Sequence, residues 1–139
     1  MLPQRLSIQI LFLTLFCSLL NANEKELTKI VEKMNDFTVK RDHTAMAALY
    51  TQDAQIVYCE MTYVGNIDVE RIYFFEFSAF KTSEISLKSV DFDSLTATFE
   101  HWYHDDNYGA FVIVEALNFR LVNGKYKISR NVREQKCRI

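Results

Sequence analysis

Apolar residues in the first part of the chain recur at the spacing of an α-helix. The repeat runs from Leu27 to Phe37 and returns from Asp68 to Phe77, which predicts one helix over each stretch. Arg41 and Asp42 interrupt the first repeat. Asp42 can cap a short second helix that contains Ala45, Met46, Leu49 and Tyr50. The chain is therefore expected to begin with helices that each bury one face.

The remaining segments are rich in β-branched and aromatic residues and follow the two-residue period of strands. Residues Gln55 to Tyr63 predict a strand or a tight hairpin. Four further strands are predicted after the last helix: Glu84 to Phe92, Leu95 to Tyr103, Gly109 to Leu121, and Lys125 to Glu134. The order of helix, helix, strands, helix and strands predicts an α+β fold in which a curved, mostly antiparallel sheet wraps on the helices.

Asn123 and Gly124 are the strongest turn signal of the chain, because both central residues of a type I′ turn need a positive φ. A two-residue loop at this point sets the pairing of the last two strands. It places Leu121 opposite Tyr126, Phe119 opposite Ile128, and Leu117 opposite Arg130. One face of this hairpin is then expected to carry Phe111, Ile113, Glu115, Leu117, Phe119, Leu121, Tyr126, Ile128, Arg130 and Val132.

The first 22 residues have the pattern of a secretory signal peptide. Arg5 is their single charge, an apolar core extends from Ile8 to Leu20, and Ala22 offers a small residue before a cleavage point. The apolar core is shorter than the roughly 20 residues of a membrane span. We expect residues 1–22 to be removed and residues 23–139 to form a secreted, extracellular domain. A buried N-terminal helix and an uncleaved anchor are the alternatives.

Removal of 22 residues from 139 leaves 117, enough for one domain. Without Arg5 the chain has fifteen basic and eighteen acidic residues and no basic cluster, so nucleic acid is not expected as a partner.

Cys59 and Cys137 remain in an oxidising compartment, and their even number indicates one disulfide. Neither has a neighbouring ligand at metal-binding spacing, and we expect no metal and no cofactor.

Three segments together resemble the nuclear transport factor 2-like superfamily, which includes ketosteroid isomerases and SnoaL-like cyclases. The segment from Asp42 to Ala54 is similar to its second helix, and Val64-Gly65-Asn66 leading to Ile72 is similar to the entry into its third helix. The segment from Asn118 to Ile128 is similar to its last hairpin, with Tyr126 in place of the customary Trp. The resemblance implies a cone-shaped domain of cystatin-like architecture with an apolar pocket, often paired as a homodimer.

The resemblance also bears on catalysis and on the cysteines. Met34, Tyr58 and Leu117 stand where ketosteroid isomerases carry their catalytic groups, and none of the three can perform the same proton transfer at neutral pH. Isomerase activity is therefore not the first expectation, and no catalytic residue is assigned. Since the first and last strands are neighbours in this superfamily, the resemblance implies that Cys59 pairs with Cys137.

Three polar residues fall on the face that the pattern assigns to the interior: His101, Glu115 and Arg130. Glu115 and Arg130 are diagonal neighbours in the predicted register, so they can pair with each other, orient a ligand or take part in catalysis. With Tyr58 and Tyr103, these residues are the predicted ligand-binding side chains of the pocket.

The predicted function is the binding of a small, largely apolar molecule inside the cone. An isomerase or cyclase that uses Glu115 and His101 as acid and base is one alternative. The other is a dimerisation or interaction domain whose own aromatic side chains fill the cavity, and the volume of the cavity distinguishes this alternative from the other two.

Overall fold

The computed structural model describes residues 4–107 and 109–134. For residues 4–13, 16–21 and 82 it describes the backbone alone. The elements follow the predicted order. Three helices are present: α1 (Gln4–Lys40), α2 (His43–Ala48) and α3 (Asn66–Ala79). Six strands accompany them: β1 (Tyr50–Tyr58), β2 (Met61–Val64), β3 (Thr82–Asp91), β4 (Thr96–Asp105), β5 (Gly109–Val122) and β6 (Lys125–Glu134). The fold is α+β, as predicted from the two periods of the sequence.

The strands form one curved sheet in the order β2-β1-β6-β5-β4-β3. Strands β1 and β6 run parallel, and every other neighbouring pair of these six strands is antiparallel. The segment that predicted a strand or a tight hairpin is a hairpin of β1 and β2. The first and last strands are therefore side by side in the sheet.

The helices bury their apolar stripes against the inner face of the sheet. On α1 the stripe includes Leu27, which is fully buried, and on α3 it comprises Val69, Tyr73 and Phe77. Asp42 caps α2 as predicted, since its carboxylate accepts a hydrogen bond from the backbone N–H of Ala45 at 2.9 Å. Among the described residues, no helix is both long and apolar enough to cross a membrane.

Gly65 has a φ of 98°, which favours glycine, and lies directly before α3. Its N–H donates to the carbonyl of Ala54 at 2.8 Å, which joins the start of α3 to β1. The following residue, Asn66, donates through Nδ2 to the carbonyl of Ala47 at 2.8 Å. The first contact ties the start of α3 to β1 and the second ties it to α2, and the cavity described below lies beside α3.

The turn between β5 and β6 has the predicted geometry, with φ values of 50° at Asn123 and 76° at Gly124. The pairs next to the turn are also as predicted: Leu121 faces Tyr126, and Phe119 faces Ile128. The predicted pairing of Leu117 with Arg130 is wrong. A β-bulge at Ser129 shifts the ladder by one residue, so that Leu117 faces Asn131.

The bulge changes which side chains of β6 face the interior. Beyond Ser129, Asn131 and Arg133 are buried, whereas Arg130 is exposed. A one-residue shift has this effect because successive side chains of a strand point to opposite faces of the sheet. The interior face of β6 therefore carries Ile128, Asn131 and Arg133, and Val132 does not belong to the buried set.

Candidate functional site

A cluster of buried polar side chains crosses the inner face of the sheet at β4, β5 and β6. Glu115 is at its centre and is fully buried. Its Oε1 atom lies 3.0 Å from His101 Nδ1, and its Oε2 atom accepts a hydrogen bond from Asn131 Nδ2 at 2.6 Å. Arg133 Nε lies 3.4 Å from the same Oε2 atom. Glu115 thus contacts an imidazole, an amide and a guanidinium group.

Arg133 joins this cluster to α3. Its guanidinium group pairs with Glu76 on α3 as well as with Glu115 on β5, and it lies over the ring of Tyr73, with Cζ 5.0 Å from the ring centroid. Tyr103 makes a second connection, because its hydroxyl donates to Glu76 Oε2 at 3.0 Å. The helix and the sheet are therefore held together by charged and hydrogen-bonded groups at this point.

The protonation states follow from the contacts. Burial by itself would raise the pKa of Glu115, but the charge of Arg133 and the hydrogen bond from His101 outweigh it and lower that pKa to about 2. Burial would likewise lower the pKa of Arg133, and the two carboxylates beside it raise that pKa well above its usual value instead. Glu115 and Arg133 are both charged in the folded protein at neutral pH.

The ionised Glu115 fixes the tautomer of His101. A carboxylate only accepts hydrogen bonds, so Nδ1 must carry the proton that Glu115 Oε1 accepts. Tyr103, whose hydroxyl lies 2.8 Å from the same Nδ1 atom, then donates its own proton to Glu76. His101 Nε2 has no hydrogen-bond partner in the part of the chain that the structure describes.

Two further tyrosines extend the cluster toward α2. Asn131 Nδ2 donates to the hydroxyl of Tyr50 at 3.0 Å, and the hydroxyls of Tyr50 and Tyr73 lie 2.6 Å apart. Burial is the largest of the causes that raise the pKa of each phenol, followed by the charge of Glu115 for Tyr50 and by Tyr50 itself for Tyr73. Both tyrosines therefore stay protonated and act as hydrogen-bonding groups.

A cavity of about 620 Å³ lies between α3, the β1–β2 hairpin and the inner face of the sheet. Its walls are mostly aliphatic and aromatic, with two tyrosines among them, Tyr58 and Tyr63. The apolar lining residues are Ile56, Met61, Ile72, Phe75, Phe80 and Ile113. Its charged lining residues are Asp68, Arg71, Glu76 and Arg133, so the polar cluster touches the cavity through Glu76 and Arg133.

The predicted site residues are only partly brought together. His101, Glu115 and Tyr103 share one buried cluster, as the strand alternation predicts, but they are not among the residues that line the cavity. Tyr58 does line it. The predicted burial of Arg130 beside Glu115 is wrong: Arg130 is exposed because of the bulge at Ser129, and Arg133 is the partner of Glu115.

The resemblance set Met34, Tyr58 and Leu117 at the positions of the catalytic groups of ketosteroid isomerases. Met34 and Leu117 are fully buried in the apolar core.

Cys59 lies in the turn after β1, and Cys137 lies outside the described residues, so their pairing stays a prediction. No group of three His, Cys, Asp or Glu side chains within the described ranges could hold a metal ion.

Sequence reasoning missed five members of the cluster: Glu76, Asn131, Arg133, Tyr50 and Tyr73. Glu76 had a signal, because it lies three residues after Tyr73 and four after Ile72 and thus on the inner face of α3. Asn131 and Arg133 had none, since only the bulge at Ser129 turns them inward. Tyr50 was assigned to the end of the second helix, whereas it begins β1.

No family model and no curated protein matches this chain significantly. Solved structures do. One is a candidate scytalone dehydratase from Novosphingobium aromaticivorans, at 12% identity over 79% of this chain and 81% of that chain, with a TM-score of 0.67. This chain has the nuclear transport factor 2-like fold.

Two more structures with this fold are similar. A candidate dehydratase of the nuclear transport factor 2-like family from Streptomyces avermitilis is 12% identical, with a TM-score of 0.64 over 81% of this chain and 95% of that chain. The other is a hypothetical Catenulispora acidiphila protein with a ketosteroid isomerase-like fold, solved in complex with trimethylamine. It is 14% identical, with a TM-score of 0.60 over 78% of this chain and 85% of that chain. At these identities the likeness concerns the fold, and the function has to be argued from the site.

Proposed function

We propose that this protein binds one small, largely apolar molecule in the cavity between α3 and the β1–β2 hairpin. The observation that carries the proposal is the cavity itself, with about 620 Å³ and a lining of mostly aliphatic and aromatic side chains. Small-molecule sites in proteins typically have roughly 300–1,000 Å³ and a few polar groups that orient the ligand. Glu76 and Arg133 are such groups here.

The volume also argues against a domain whose own side chains fill its interior. Phe75, which lines the cavity, is 70% exposed, so an aromatic ring stands beside an open space instead of closing it. The complex of the Catenulispora protein with trimethylamine supports a small molecule as the class of ligand for a cavity of this fold.

An acid–base enzyme is the second candidate, and one observation favours it. His101 Nδ1 and Glu115 form a buried imidazole–carboxylate pair at 3.0 Å, an arrangement that orients an imidazole for proton transfer. A general base must be within hydrogen-bond reach of the substrate, however, and neither residue lines the cavity. Binding is therefore the better supported function.

We propose further that residues 1–22 are a signal peptide and that the domain from residue 23 is secreted. The side chains of Thr14, Leu15 and Ala22 are exposed, and Leu27 is the first buried side chain among those described on α1. Removal of the first 22 residues would thus take away none of the described core.

A homodimer is a further proposal. Its candidate contact is the half-exposed Trp102 and the neighbouring Val112 on the outer face of the sheet.

Titration with N-phenyl-1-naphthylamine, an uncharged apolar fluorophore, tests the binding function. The parent chain is expected to bind one equivalent with a saturable rise in fluorescence. Ile72→Trp places a larger side chain at the cavity wall and should weaken binding about tenfold or more. Ile67→Trp is the matched control, because Ile67 lies on the same helix, is 70% exposed and does not line the cavity.

The control variant should bind the fluorophore as the parent does. Absence of saturable binding by the parent, or equal affinities of the parent and Ile72→Trp, would contradict the proposed function.

A further inference from the structure

The charged group that the cavity meets at its inner end is a carboxylate. Glu76 and Arg133 form the ion pair that lines the cavity. The Glu76 side chain is 12% exposed, whereas the Arg133 side chain is only 2% exposed. The Nε and Nη2 atoms of Arg133 lack hydrogen-bond partners within the described residues, but they are enclosed by protein atoms and have almost no accessible surface. A ligand in the cavity can therefore approach Glu76 more readily than the unpaired donors of Arg133.

The charges around this inner end do not balance. Glu76 and Glu115 contribute two negative charges, and Arg133 contributes one positive charge. Among these three charged side chains, one negative charge is in excess. An excess charge in a poorly solvated site is costly and attracts an opposite charge.

The charges at the mouth do not supply this opposite charge. Arg71 Nη1 lies 3.5 Å from Asp68 Oδ1, and the two side chains are 77% and 40% exposed. Arg71 and Asp68 thus compensate each other in contact with solvent. The excess negative charge stays at the inner end, beside Glu76.

Four aromatic side chains stand around the same space: Tyr58, Tyr63, Phe75 and Phe80. The face of an aromatic ring carries partial negative charge and attracts an organic cation, most strongly where water is excluded. Aromatic rings and a largely buried carboxylate that line the same cavity are a combination that suits an alkylammonium group better than an anion or a neutral polar group.

We propose that the ligand of this cavity is an apolar organic cation, an amine or quaternary ammonium compound, whose charged nitrogen lies toward Glu76 among the four aromatic rings. The proposal rests on the binding function proposed above and names the class of its ligand. The carboxylate neutralises the cation, the cation removes the excess charge of the buried cluster, and the apolar walls hold the rest of the molecule.

Three compounds of similar shape test the proposal by calorimetric titration of the full chain. Phenyltrimethylammonium and tert-butylbenzene differ in the replacement of a charged nitrogen by carbon, and benzenesulfonate carries the opposite charge. We expect phenyltrimethylammonium to bind about tenfold more tightly than tert-butylbenzene, and benzenesulfonate to bind most weakly.

Glu76→Gln should reduce the preference for the cation over tert-butylbenzene to near unity. Glu84→Gln, the same change at an exposed residue of the opposite edge strand β3, should keep the full preference. Because Glu76 also holds Arg133, Phe75→Leu provides a second variant outside the buried cluster. It should weaken binding of the cation several-fold and more than that of tert-butylbenzene.

The outcomes separate this proposal from the binding function. If tert-butylbenzene or benzenesulfonate binds the parent as tightly as the cation does, the ligand class is wrong and the binding function stands. The ligand class is also wrong if folded Glu76→Gln and Phe75→Leu both keep the preference of the parent. If none of the three compounds binds, the binding function itself is contradicted.

Discussion

Glu115 contacts His101, as the strand alternation predicts. Its other neighbours are not indicated by the sequence: Asn131, Arg133 and, through Asn131, Tyr50. A buried charge is retained only where hydrogen bonds and an opposite charge replace water. The cluster meets this requirement for Glu115. In the described part of the chain it leaves four atoms without a hydrogen-bond partner: His101 Nε2, Asn131 Oδ1, and the Nε and Nη2 atoms of Arg133. Its stability depends on Glu115 more than on any exposed ion pair.

Glu115→Gln should lower the free energy of unfolding by about 3 kcal/mol, because Arg133 loses one of its two carboxylates inside the protein. Asp53→Asn is the matched control, since Asp53 pairs with Arg120 while both side chains are at least half exposed. This control should cost less than about 1 kcal/mol. Urea unfolding of the parent and both variants measures the difference, and similar values for the two variants would contradict the central position of Glu115.

The depressed pKa of Glu115 predicts how stability changes in acid. The folded protein holds this pKa at about 2, against an ordinary value of 4.5, so the unfolded chain takes up the proton first as the pH falls. The stabilisation is complete above pH 4.5 and is lost between about pH 4.5 and pH 2. Urea midpoints of the parent should therefore fall more steeply in this range than those of Glu115→Gln, whereas parallel curves would speak against an ionised Glu115.

At the scale of elements, the β5–β6 hairpin shows where sequence reasoning succeeds and where it ends. Asn123 and Gly124 specify the turn by their own backbone preferences, so the pairs beside the turn could be predicted. The bulge at Ser129 has no comparable local signal in the sequence. The Ser129 hydroxyl donates a hydrogen bond to the carbonyl of Asn118 on the neighbouring strand, a contact that depends on the pairing already being formed. The burial of Arg133 instead of Arg130 is decided by Glu76 and Glu115, which lie on other elements.

A pair of substitutions on β6 tests this register. Arg133→Met should lower the free energy of unfolding by at least about 3 kcal/mol, because Glu76 and Glu115 would remain buried without their shared cation. Arg130→Met, at an exposed position, should change it by no more than about 0.5 kcal/mol. Chemical denaturation of both variants measures the two losses. A larger loss for Arg130→Met than for Arg133→Met would contradict the bulge and favour the regular pairing.

The parallel pairing of β1 with β6 bears on the predicted disulfide. Tyr58 is paired with Arg133, so Cys59 leaves β1 near the end of β6, which precedes Cys137 by a few residues. A bond that closes so long a loop should stabilise the fold by on the order of 4 kcal/mol in the chain-entropy model. Cys137→Ser and Cys59→Ser should lower the melting temperature equally, and their combination should lower it no further.

The control for the disulfide is the parent under reducing conditions, which should melt with the variants. Alkylation of the unreduced parent at both Cys59 and Cys137 would contradict the pairing.

At the scale of the whole molecule, the fold could be predicted and the candidate site only in outline. Helical and strand periods and one turn signal were enough for the order of the elements, because these are local properties. The cavity depends on how α3 lies over the β1–β2 hairpin, which Gly65 and Asn66 fix through contacts to distant residues. Of the predicted pocket residues, Tyr58 lines the cavity, while His101, Tyr103 and Glu115 lie in the cluster behind it.

The isoleucine methyl groups provide the most direct test that the cavity is the binding site. Ile56, Ile72 and Ile113 line it, whereas Ile67 on α3 and Ile85 on β3 do not. In a methyl-labelled sample titrated with tert-butylbenzene, the aromatic ring should shift the resonances of Ile56, Ile72 and Ile113 saturably and leave those of Ile67 and Ile85 in place. Shifts centred on Ile67 or Ile85, or no saturable shift at the three lining residues, would contradict a ligand in this cavity.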